Sequence, residues 1–138
     1  MKIQTLCVVA LFTFFSFTPT SAVTPSTGRS VASFTLKTEM TEGGFFFRGL
    51  GGAIDGKINP TLSVKEWDVV KITLFNNDGV NHHIAFPDFF ITSHEVMKKG
   101  TTTTVTFVPF KTGGFIYYCI LNKHRELGME GKLVVTTR

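Results

Sequence analysis

Hydrophobic and polar residues alternate along most of the chain with a period of two, the spacing of strands that bury one face. In Val31–Glu39, Phe34 and Leu36 are separated by Thr35 and followed by Lys37. Val70, Ile72 and Leu74 alternate with Lys71 and Thr73. Thr101–Val108 is β-branched except for Phe107, and Val105 and Phe107 are assigned to its inward side. Phe45–Gly49, Thr61–Val64, Asn81–Phe86, the run from Gly114 into Cys119, and Lys132–Val135 complete the set. Turn signals such as Gly43-Gly44, Asp55-Gly56, Asn76–Gly79 and Lys98-Lys99-Gly100 divide these runs. Pro87–Met97 reads as irregular, with Phe89, Phe90 and Ile91 covering one edge. No segment carries a helical period over helical length. About eight short strands at such spacing predict an all-β fold, an antiparallel Greek-key sandwich or barrel.

The amino terminus breaks the pattern. Lys2, the apolar run Leu6–Phe17 and the small residues Thr20-Ser21-Ala22 read as a secretory signal peptide over residues 1–22. The apolar run is shorter than the roughly 20 residues of a spanning helix, and no later run is long enough either. Residues 23–30, VTPSTGRS, read as a flexible leader, which leaves 31–138 as one domain. The implied address is periplasmic or secreted, with no membrane span in the mature form. The formal net charge of +4 falls by one when Lys2 is removed. Such mild basicity can favour an acidic protein partner but is no nucleic-acid footprint. Cleavage also removes Cys7, so Cys119 is the one mature cysteine. Its thiol is free, paired with another chain, or a ligand.

The ligand reading is the strongest, because Cys119, His124 and Met129 follow one another with four residues between each pair. A thiolate, an imidazole and a thioether on one loop suit copper, and a blue-copper site adds a second histidine. His82 is favoured for that place over its neighbour His83, and His94 reads as a loop residue. Cys119 shares a strand face with Phe115 and Tyr117, toward the core. A ring edge of His124 is expected near solvent, and His82 deeper. Each residue also has a plainer role: Cys119 as a small buried hydrophobe, Met129 as a core filler, either histidine as a polar strand residue.

Two separated pieces resemble the cupredoxins, the small type 1 blue copper proteins such as plastocyanin, azurin and rusticyanin. One is Asn76-Asn77-Asp78-Gly79-Val80-Asn81-His82-His83-Ile84-Ala85-Phe86. The other runs from Tyr117-Tyr118-Cys119 to Met129-Glu130-Gly131-Lys132, with a Cys-x4-His-x4-Met spacing like that of rusticyanin and sulfocyanin. The chain is also similar to the cupredoxin domain tethered to some copper nitrite reductases. The resemblance implies one mononuclear type 1 copper held by His82, Cys119, His124 and Met129. His83 takes a place usually filled by an asparagine that braces the ligand loops. There it is expected to act by hydrogen bonding and, if it titrates, to make the potential pH-dependent.

The function implied is an electron carrier, not an enzyme. It would cycle Cu(II)/Cu(I) as a monomer with transient redox partners, a cytochrome c or a copper nitrite reductase. Leu50, Leu121 and Leu127 would supply an apolar docking patch, and Lys123 and Arg125 would steer a negative partner to the His124 edge. One rival is a module of a copper nitrite reductase-type enzyme. Those enzymes place a histidine beside the ligand cysteine, whereas Tyr118 and Ile120 flank Cys119 here. The other rival is a copper chaperone or store, which tends to use exposed Met and His clusters or paired cysteines; Met40, Met97 and Met129 are scattered.

Overall fold

The computed structural model describes residues 28–138; the signal peptide and most of the leader expected from the sequence lie outside the described residues. Nine strands follow in order: β1 (Val31–Thr41), β2 (Gly44–Leu50), β3 (Leu62–Lys65), β4 (Val69–Phe75), β5 (Ala85–Phe86), β6 (Ile91–Thr92), β7 (Thr102–Phe107), β8 (Gly113–Tyr118) and β9 (Glu130–Thr136). Among the described residues, the helical content is two 3-10 turns, Gly52–Ile54 and Pro87–Phe89. The alternation seen in the sequence sets the faces. Val70, Ile72 and Leu74 of β4 are buried while Lys71 is exposed, and Val105 and Phe107 of β7 point inward. Burial of each such side chain contributes about 1.5–3 kcal/mol relative to leaving it in water.

The strands form two sheets, β2-β1-β4-β7 and β3-β9-β8-β5-β6, packed as a sandwich. Aromatic rings join the layers: Phe47 of β2 lies 5.4 Å from Tyr117 of β8, Tyr117 5.5 Å from Phe86 of β5, and Phe86 4.9 Å from Phe107 of β7. Tyr117 donates a 2.7 Å hydrogen bond to the Pro60 carbonyl, so its polar tip is satisfied inside the core. The sheets are mixed rather than purely antiparallel, because β1 pairs β4 and β3 pairs β9 in parallel. A period of two marks which face a residue takes and is silent on the direction of the neighbouring strand.

Two further expectations are corrected. The strand expected over Asn81–Phe86 is reduced to Ala85–Phe86. His82 instead forms an isolated bridge with Val96. The His83 N–H bonds the Cys119 sulfur at 3.4 Å, and the Ile84 N–H bonds the Ser93 hydroxyl at 3.0 Å, so ladder donors are diverted. In the stretch read as irregular, Phe89 is buried but Phe90 is 90 % exposed. Phe90 closes the 3-10 turn in the left-handed conformation, φ 57°, which turns its ring outward.

Candidate metal centre

The His82 arm begins at the turn after β4. Asn76 is buried and uses its whole amide. Nδ2 donates to the carbonyls of Val80 (2.7 Å) and Val96 (3.0 Å), and Oδ1 accepts from the Gly79 N–H (2.8 Å). This holds the turn so that Asp78 Oδ1 accepts from the Val80 N–H at 2.9 Å. His82 is fixed through both backbone groups to Val96, at 3.1 and 2.9 Å. Its Nε2 lies 3.0 and 3.1 Å from the two Asp78 oxygens, so its Nδ1 faces inward, 4.0 Å from Cys119 Sγ.

The other donors sit on the loop between β8 and β9, which are neighbours in one sheet. Cys119 N–H bonds the Met129 carbonyl (3.2 Å) and Met129 N–H bonds the His124 carbonyl (2.9 Å), which folds the loop back on itself. His124 Nδ1 thereby reaches 3.5 Å from the Cys119 sulfur. One donor atom from each of His82, Cys119 and His124 lies within 4.8 Å of the others. The three residues are 0, 1 and 5 % exposed, in the expected order for the two histidines, and Met129, on the same loop as Cys119 and His124, is fully buried. His83 does not turn its ring toward this group. Its Nδ1 contacts the Ser93 carbonyl at 3.0 Å and its Nε2 lies 4.0 Å from Glu95.

Residues outside both motifs support the loop. Phe45 at the start of β2 stacks on the His124 ring at 4.0 Å and meets His82 edge-on at 5.8 Å. The Phe45 N–H bonds the Leu127 carbonyl at 3.1 Å. Gly44 permits that approach, since a Cβ there would overlap the same carbonyl. Asn59 clamps the far side, accepting from the Phe47 N–H (3.0 Å) and donating to the Gly128 carbonyl (2.7 Å). Asp78 lies in the polar turn of the first motif, but nothing in the sequence marks it, Phe45 or Asn59 as a support for the site.

Burial sets the electrostatics. It pulls the His82 and His124 imidazoles below their ordinary range, with Asp78 opposing the shift in both. It pushes the Cys119 thiol up, against the backbone N–H groups of His83 and Leu121, with Glu95 and Asp78 adding to the rise. The site therefore presents neutral rings and a protonated sulfur until a cation displaces the proton. Two imidazole nitrogens facing one soft sulfur, with a thioether in the same loop, fit copper; thioether is not a usual zinc ligand.

Of the residues expected to dock a partner, Lys123, Arg125 and Leu127 are exposed on the ligand loop, and Leu121 is partly buried against the core. The Arg125 guanidinium lies over the Tyr118 ring at 4.2 Å and pairs with Glu130. Leu50 is not brought to this face. It stands at the other end of β2, five residues from Phe45 and so about 16 Å along the strand. There it lines a surface cavity with Ser33, Phe34 and Thr35.

No family model and no curated protein sequence matches the chain. Solved structures do. Auracyanin B is 18 % identical with a TM-score of 0.57, over 79 % of this chain and 91 % of that one. Auracyanin A, a "blue" copper protein from the green thermophilic photosynthetic bacterium Chloroflexus aurantiacus, is 19 % identical with a TM-score of 0.56, over 78 % and 100 %. The copper nitrite reductase of Nitrosomonas europaea is 23 % identical with a TM-score of 0.57, over 79 % of this chain but 42 % of its own. The chain thus has the cupredoxin fold, and within that fold it carries a buried His-Cys-His group placed for one metal ion.

Proposed function

We propose that the protein is a mononuclear type 1 copper electron carrier, whose ion would be held by His82, Cys119, His124 and Met129. The observation that carries this reading is the convergence of the three donors in a buried pocket. Bound copper supplies a one-electron Cu(II)/Cu(I) couple. The chain's own part is to hold the donors still. Asp78 and Val96 fix His82, the Met129 and His124 backbone bonds fix the loop, and Phe45 packs the His124 ring. A site braced from both sheets changes little between charge states, which favours fast transfer.

Electrons would pass through the His124 edge, the least buried of the three ligands. Leu127 on the same loop offers apolar contact there, with Lys123 and Arg125 as positive flanks for a transient redox partner such as a cytochrome c. Export to the periplasm or beyond, inferred from residues 1–22, belongs to the same reading. Its test is copper loading of protein 23–138. The expected result is one copper per chain with intense visible absorption, lost in Cys119→Ala. A colourless copper-free protein refutes the reading, and nitrite turnover by the purified chain replaces it with an enzyme.

A further inference from the structure

Asp78 is the one charged side chain hydrogen-bonded to the donor group among the described residues, and holding His82 still makes no use of its charge. Its side chain is 7 % exposed, and it is held in place by the Val80 N–H and by the turn that Asn76 ties together. Both carboxylate oxygens lie within 3.1 Å of His82 Nε2. We propose that Asp78 is a positioning and tuning residue for this centre: its carboxylate keeps His82 turned with Nδ1 toward Cys119 and biases bound copper toward the oxidised state. The proposal rests on the copper reading above.

Two effects act in the same direction. An acceptor on Nε2 keeps the proton there, which leaves the Nδ1 lone pair free to ligate. It also makes the ring a stronger donor, as outer carboxylates do for metal-bound histidines. Charge is the second effect. Thiolate and carboxylate together offset both charges of Cu(II) but exceed the single charge of Cu(I). In a site removed from water, that surplus negative charge disfavours the reduced form. Loading the site with one electron therefore works against Asp78, and the potential is lowered.

A purely structural brace predicts something different. If Asp78 only held the turn, its loss would weaken both copper states alike, and their ratio, which the potential reports, would stay where it was.

The experiment is Asp78→Asn in the copper-loaded protein, with the potential measured by voltammetry beside the wild type. Asparagine keeps an oxygen acceptor of the same size and removes the charge. The expected result is about a tenfold loss in the preference for Cu(II) over Cu(I), a rise of about 59 mV for a one-electron couple. A potential unchanged from wild type, with the visible band retained, overturns the proposal and leaves the copper reading intact. Absence of the band in the wild type overturns both. Should Asp78→Asn fail to fold, nitrogen-15 NMR of histidines in the copper-free wild type decides. A His82 ring protonated at Nε2 and slow to exchange supports the proposal, and one protonated at Nδ1 overturns it.

Discussion

Removing the amide of Asn76 should loosen the whole His82 arm before any metal is present. The side chain is fully buried and satisfies two carbonyls and one N–H, those of Val80, Val96 and Gly79. In Asn76→Ala the Val96 carbonyl keeps its second partner, the His82 N–H, but Val80 and Gly79 are left without theirs. At a net ~1 kcal/mol per hydrogen bond, with the partly buried pair at the lower end, the loss is ~2–3 kcal/mol. For a domain of this size that is a fall in Tm of about 8–12 °C. Urea unfolding of the copper-free protein, followed by tryptophan fluorescence and circular dichroism, measures it. Asn76→Asp should cost at least as much at neutral pH, because it turns an acceptor toward two carbonyl oxygens. A loss below about 0.5 kcal/mol for both variants, within the ordinary range of surface substitutions, would show that water replaces these bonds and that the turn is not held from inside.

Three other outcomes follow from the same geometry. Tyr117→Phe leaves the buried Pro60 carbonyl without its donor and should cost about 1–2 kcal/mol with little change in packing, read as a shift in urea midpoint at constant slope. Metal loading at neutral pH should release close to one proton per site, from the Cys119 thiol that burial holds protonated. Calorimetry in buffers of different ionisation enthalpy counts it, and release of none shows the thiol already ionised. The copper-free protein should also lose stability as pH falls below about 6.5. His82 and His124 are depressed in the fold, so the unfolded chain binds more protons there and unfolding becomes easier. Glu39 and Asp68, held low by Arg48 and Ser30, act in the same direction only in the carboxylate range further down. A urea midpoint that is flat between pH 7 and 5 contradicts the histidine part.

The loop carrying Cys119, His124 and Met129 was legible because its donors are close in sequence, so spacing alone restricts them to one neighbourhood. The strand faces were legible for the same local reason: burial of alternate side chains in β4 and β7 is written residue by residue. What could not be seen is whatever depends on contacts distant in sequence. The parallel pairing of β1 with β4, the Phe45 ring on His124 and the Asn59 clamp on Gly128 all join separate segments. Leu50 was grouped with the loop leucines by type, but the length of β2 carries it to the far end of the sheet. The strand expected at His82 was over-extended because alternation persists through residues whose N–H groups bond a sulfur and a hydroxyl rather than a neighbouring strand.

His82 and Cys119 stand 37 positions apart along the chain, on arms that approach each other only at the donor group. The described residues hold one cysteine, so no covalent staple can span that interval. An ion shared by the two side chains would close the same ring. By the chain-entropy relation used for disulfides, a ring of that size restricts the unfolded chain by about 4 kcal/mol at 25 °C. The ion would then be a clasp as well as a redox centre, and its departure would slacken the end of the sandwich that carries the donor group.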